Sequence, residues 1–253
     1  MDTTHELDPA PLTAARRAAD TSSTGEAARL LAAAGVPVFP CVQGSARPLS
    51  VRGSRGASTD LDRVAWWWSR YPTTNLAVPT GAASRLDVLE VRADRTKSGI
   101  STLRRAMRAG LLPQPGLVLS TPTGGLSLIF PRSPQDTQQS WDAPRSGLLF
   151  HGDGSQVLLP PSLVLRADGV VARAQLVGPG STRTGPIDAD TLRHFVDPAL
   201  ARGGRPALSP SAAVRAGRSW GRTADPRPMT GARSMSRPDP DGSSHRPPEV
   251  VSL

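Results

Sequence analysis

Residues 71–92 read Tyr71-Pro-Thr-Thr-Asn-Leu-Ala-Val-Pro-Thr-Gly-Ala-Ala-Ser-Arg-Leu-Asp-Val-Leu-Glu-Val-Arg92. Two runs inside it, Asn75 to Pro79 and Leu86 to Arg92, are short, β-favouring and bounded by Gly or Pro, so each predicts a strand. Side chains alternate along a strand. Glu90, Arg92 and, if the strand continues, Asp94 therefore share one face, and Asp87 lies on the other.

Outward from this stretch the chain reads as an α+β domain over residues 25–198. On its N-terminal side, Glu26 to Gly35 is a run of helix formers with Ser22-Ser23-Thr24 as a cap region and Gly35 as its stop. Val36 to Pro40 is a short extended run. Arg63 to Arg70 predicts a second helix, whose acidic approach (Asp60, Asp62) and basic end match the helix dipole. Its three tryptophans, Trp66 to Trp68, spread about 100° apart, so two are expected on the core and one at its edge. C-terminal to residue 92, Thr102 to Gly110 and Ala189 to Val196 predict helices. Leu117 to Thr121, Ser127 to Phe130, Gln156 to Leu159 and Val170 to Ala174 predict strands.

The flanks differ in composition. Residues 1–24 are rich in Thr, Ser, Ala, Pro and charge, with Pro9 and Pro11 against a helix, and are expected to be a disordered leader. Residues 199–253 hold nine arginines, from Arg202 to Arg246, against Asp225, Asp239, Asp241 and Glu249, and thus carry +5 of the whole chain's +9. With eight prolines and few large apolar side chains, this stretch is expected to be a disordered basic tail. The excess of Lys and Arg (30) over Asp and Glu (21) favours anionic partners. A lone cysteine, Cys41, excludes a disulfide framework and multi-cysteine metal sites. No apolar run approaches the roughly 18 residues of a membrane span, and no secretory signal pattern opens the chain, so a cytoplasmic location without membrane partners is expected.

The order of motifs carries more than composition does. Ala33 to Cys41, Arg47-Pro-Leu49, Gly56 to Asp60, Ala65-Trp-Trp67, Tyr71 to Gly81, Leu86 to Val91, Ser120-Thr-Pro-Thr-Gly-Gly125 and Gly152-Asp-Gly154 followed by Pro160-Pro-Ser162 succeed one another over roughly residues 26–175. In this order they resemble the bifunctional DNA primase/polymerase domain of the archaeo-eukaryotic-type primases. The resemblance implies an RRM-like, mostly antiparallel sheet flanked by helices, with a nucleotide site in a cleft. It also implies DNA-directed nucleotidyl transfer, which needs two divalent metals held by clustered carboxylates.

Residue by residue, the resemblance puts Glu90 and Arg92 at an Asp-x-Asp metal pair, Leu149 at a third metal-binding Asp, and Ser127 at a nucleotide-binding His. Only Glu90 keeps a carboxylate. Ser127 keeps a hydrogen-bonding group, Leu149 ligates nothing, and Arg92 puts a cation where an anion belongs. The expectation is therefore a vestigial catalytic Glu90 and no resident metal. A guanidinium at Arg92, between Glu90 and Asp94, would hold phosphate together with Ser127 and His151. His151 stands where related sequences commonly carry Arg; a surface histidine beside the Gly152-Asp153-Gly154 turn is an equal reading. Thr121, Gly124 and Gly125 are candidates for nucleotide contact through the resemblance, although a hairpin turn explains them as well. Asp153 reads as a turn residue, and His5, His194 and His245 lack ligand-like spacing.

Three function classes remain. The first is a catalytically degenerate module, a pseudoenzyme that binds nucleic acid or nucleotide through a metal-free cleft and its basic tail, in DNA replication or a related process. The second is an active primase/polymerase using Mg²⁺ or Mn²⁺ on displaced ligands such as Glu90 and Asp94. The third is a non-catalytic scaffold or interaction protein.

Overall fold

The computed structural model describes residues 10–93, 99–133, 137–166, 168–178 and 180–197. The expected basic tail and Asp94 lie outside them. Six strands form the main sheet: β3 (Leu86–Val91), β4 (Leu117–Ser120), β5 (Leu126–Pro131), β6 (Trp141–Ala143), β7 (Leu148–His151) and β11 (Gln175–Gly178). They lie in the order β11-β4-β5-β3-β7-β6, and every neighbouring pair is antiparallel. Three more, β1 (Phe39–Cys41), β2 (Asn75–Pro79) and β8 (Gln156–Leu158), make a second antiparallel sheet, and β9 (Leu163–Leu165) with β10 (Val171–Arg173) makes a hairpin. The α+β class expected from the sequence is the one found.

Helices cover both faces of the main sheet, which is why β3 is buried at all six positions. On the face of Leu86 and Val88, the helices α1 (Ala10–Ala19), α2 (Thr24–Ala33) and α3 (Leu61–Arg70) bury Leu12, Leu31, Val64, Trp67 and Trp68 in one core with Leu117, Leu119 and Ile129. On the face of Leu89 and Val91, α4 (Gly99–Arg108) and α5 (Ala189–Val196) close a second core. There Leu103 and Leu192 meet Phe130, Trp141 and Phe150. Caps follow the sequence signals: Ser23 accepts from the Glu26 amide, Asp60 from those of Asp62 and Arg63, and Asp188 from that of Thr191.

The disordered leader expected over residues 1–24 is corrected for residues 10–24, residues 1–9 lying outside the described residues. Ala10–Ala19 is a helix packed on β4, β5 and β11, with Leu12, Ala14, Ala15 and Ala18 buried. Pro11 does not prevent it because it sits in the first turn, where no carbonyl awaits its missing N–H. Small alanines let the helix approach closely, and Gly116 leaves room for Leu12. Among the described residues, no helix is long and apolar enough to cross a membrane.

Candidate functional site

Register across the main sheet decides which side chains meet. Glu90 on β3 pairs with Ser127 on β5 and with Leu149 on β7, and Leu149 pairs with Asp142 on β6. Directly opposed residues share a face, so Ser127, Glu90, Leu149 and Asp142 form one row. That row continues the face whose apolar half lies under α1 and α2. One step along, His151 pairs with Val88.

Within this row the ion pairing differs from expectation. Arg92 forks onto Asp142, with Nη1 2.8 Å from Oδ1 and Nη2 3.1 Å from Oδ2. The expected guanidinium between Glu90 and Asp94 is thus replaced by a bidentate pair that reaches from the end of β3 across β7 to β6. Sequence spacing gave no sign of Asp142, because it lies fifty residues away and meets Arg92 only through the β3–β7–β6 register. Glu90 pairs instead with His151, whose Nε2 is 3.3 Å from Glu90 Oε2. The other ring nitrogen, Nδ1, is 2.8 Å from Ser155 Oγ. His151 is therefore a braced member of a Glu90–His151–Ser155 chain and not a surface histidine, and Ser155 is a site residue missed in the sequence. Its turn position in Gly152-Asp-Gly-Ser155 was the only signal.

Two polar groups in the row have no partner among the described residues: Ser127 Oγ, which is half-buried, and Glu90 Oε1. The loop between β4 and β5 is different. Thr121 N donates to Gly125 O, Gly124 N to Thr121 O, and Gly125 N to Thr121 Oγ1. These three amides are consumed within the hairpin, so Thr121, Gly124 and Gly125 form a closed turn whose own amides offer no cradle for phosphate. Gly125 is required for another reason, since a Cβ there would strike the Val91 carbonyl.

Asp87 and Asp153 occupy a separate cluster. Asp87 is fully buried, accepts from Gln138 Nε2 at 2.7 Å, and has no partner for Oδ1 among the described residues. Burial pushes its pKa up to about 7, against the pull of nearby Arg132. Asp153 is more than a turn residue. It accepts from the Ala82 amide at 2.6 Å, the Gln138 amide at 3.1 Å and Arg132 Nη2 at 3.3 Å.

A family model described as bifunctional DNA primase/polymerase, N-terminal, matches residues 27–185. The chain belongs to the bifunctional DNA primase/polymerase family. Among curated proteins, none matches the chain. For a primase/polymerase domain the row of Glu90 is where metal ions are implied, so the donor set there can be tested directly. Among the described residues, Glu90 is half engaged by His151 with only Oε1 unpartnered, Asp142 is committed to Arg92, Leu149 has no donor atom, and both nitrogens of His151 are engaged. Among the described residues, no group of three or more His, Cys, Asp or Glu gathers to hold an ion. These residues do not fit a pair of divalent metals.

Proposed function

We propose that this primase/polymerase-family domain is catalytically degenerate and binds a nucleotide or a nucleic-acid strand in the Glu90 cleft without a metal. The observation that carries the reading is the fork of Arg92 onto Asp142 in the row of Glu90. A cation replaces one anion of the expected metal pair and neutralises Asp142, the other carboxylate of the row among the described residues. Among the described residues, no cluster of carboxylates stands here to hold the paired ions that would lower the pKa of an attacking hydroxyl and clamp a triphosphate.

What remains suits binding. Ser127 Oγ and Glu90 Oε1 are free to meet sugar hydroxyls or base amino groups, which donate to a carboxylate. The carboxylates of Glu90 and Asp142 outnumber the one guanidinium of Arg92, so phosphate is kept off Glu90. The guanidinium of Arg92, whose Nε has no partner among the described residues, supplies a fixed cation to the same row. The chain's net charge of +9 adds salt-sensitive attraction for any polyanion.

Calorimetry with dATP and with a short oligothymidylate, each in EDTA, tests this reading. Binding is expected without metal, weakened at least fivefold by Ser127→Ala or Arg92→Ala, and no primer is expected on single-stranded DNA with Mn²⁺. Primer synthesis by purified protein, or no measurable affinity for either ligand, overturns it.

A further inference from the structure

The surface of α3 carries a feature that the cleft does not use. Trp67 and Trp68 are buried, and Trp68 Nε1 is anchored on Thr24 Oγ1 at 3.0 Å. Trp66 instead stands 58 % exposed, and Tyr71 at the helix end 38 %. Their rings meet edge to face, with centroids 6.4 Å apart and planes at 89°, so they form two walls of an open corner. Trp66 Nε1 has no partner among the described residues.

Two arginines flank this corner. Arg63 lies 5.1 Å over the Trp67 ring and Arg70 lies 5.5 Å over Tyr71. Both are exposed, and neither is ion-paired among the described residues. Their guanidinium groups are held on aromatic rings while their charges stay unneutralised. The acidic residues of the same helix, Asp60 and Asp62, sit at its N-terminal end, where Asp60 is occupied in capping. Arg63, Trp66 and Arg70 recur at helical spacing, so cation, exposed ring and cation lie along one face.

From these observations we infer that Trp66, Tyr71, Arg63 and Arg70 form a stacking platform for single-stranded nucleic acid. A base lies on the Trp66 ring with its edge toward Tyr71, and the two arginines take the adjoining phosphates. An exposed tryptophan alone would suit an apolar protein partner equally. The two unpaired guanidinium groups and the cationic chain favour a polyanion whose own units carry flat rings. A duplex hides those rings. The inference goes beyond the cleft reading and stands independently of Glu90 and Ser127.

Fluorescence anisotropy of labelled oligothymidylate on the full chain, alongside an abasic oligomer of equal length, tests the platform. Trp66→Ala is expected to weaken oligothymidylate binding by about 5- to 100-fold, the value of one stacked base, and to leave the abasic oligomer unchanged. Trp66→Phe is expected to recover most of the loss, which separates stacking from misfolding. Arg63→Ala with Arg70→Ala is expected to reduce the slope of log affinity against log salt by about 1.4 for both oligomers. Affinity for dATP in EDTA is expected to be the same in wild type and Trp66→Ala, so a failure of the cleft and a failure of the platform give different results. Oligothymidylate binding unaltered by Trp66→Ala, an equal loss for the abasic oligomer, or duplex bound through Trp66 as tightly as single strand overturns the inference. So does an acidic peptide that competes at Trp66 with higher affinity than oligothymidylate.

Discussion

At the scale of single residues, Asp87 has a measurable signature. Its folded pKa, raised from 3.8 to about 7 by burial, means that the native state keeps a proton which the unfolded chain releases between those values. Stability must therefore fall as pH rises from about 4 to 7 and level off above. Its neighbours modulate the effect: Arg132 opposes the rise, Asp153 reinforces it, and Gln138 bonds the carboxyl. Urea unfolding across this range is expected to show a loss of roughly 2–4 kcal/mol, because a one-proton difference between the two states costs about 1.4 kcal/mol for each pH step of one. Asp87→Asn is expected to flatten the slope, and an unchanged profile would remove Asp87 as its source. Gly81 offers a second test. Its φ is +77° and a Cβ there would collide with Asp153, so Gly81→Ala is expected to cost about 1–3 kcal/mol in chemical denaturation. Within the row, Glu90 and His151 were each legible as candidate site residues, whereas their pairing was not, since only the register of Val88 with His151 brings the ring to Glu90.

At the scale of elements, α1 and α3 behave differently. α1 covers Leu117, Leu119 and Ile129 with Leu12 and three buried alanines, so it belongs to the folding unit. Leu12→Ala is expected to cost about 2–3 kcal/mol, and deletion of residues 1–22 to expose the sheet and yield aggregating protein. A truncation that stays monomeric with an unchanged melting temperature would show that α1 is dispensable. The sequence hid this helix because Ala, Thr and Pro read as low-complexity, and amphipathicity built from alanines gives little contrast. For α3 the tryptophan run was legible as two buried rings and one at the edge. The arginines stacked beside them became apparent only from side-chain placement. Asp60→Ala, which removes the amide acceptor for Asp62 and Arg63, is expected to lower stability by about 1 kcal/mol in the same denaturation experiment.

At the scale of the molecule, charge is distributed between a cleft that is nearly balanced and a chain that is strongly cationic. Replacing the nine arginines of residues 202–246 by glutamine cancels the chain's formal net charge of +9. Salt titrations of oligothymidylate binding are then expected to lose several units of slope while Trp66 retains its effect on affinity. An unchanged slope would mean that those cations do not meet the nucleic acid.

The sequence by itself determined the family, the α+β class, the strand that carries Glu90 and the residue types, Arg92 and Leu149, that stand at the positions where the resemblance implies metal-binding carboxylates. These are properties of residue type, strand parity and motif order, all written locally along the chain. Only the tertiary structure decided that Arg92 is held by Asp142, that His151 is braced between Glu90 and Ser155, and that α1 closes the core. Each of these depends on which strands become neighbours and in what register, a result of packing both sheet faces at once that no local spacing encodes.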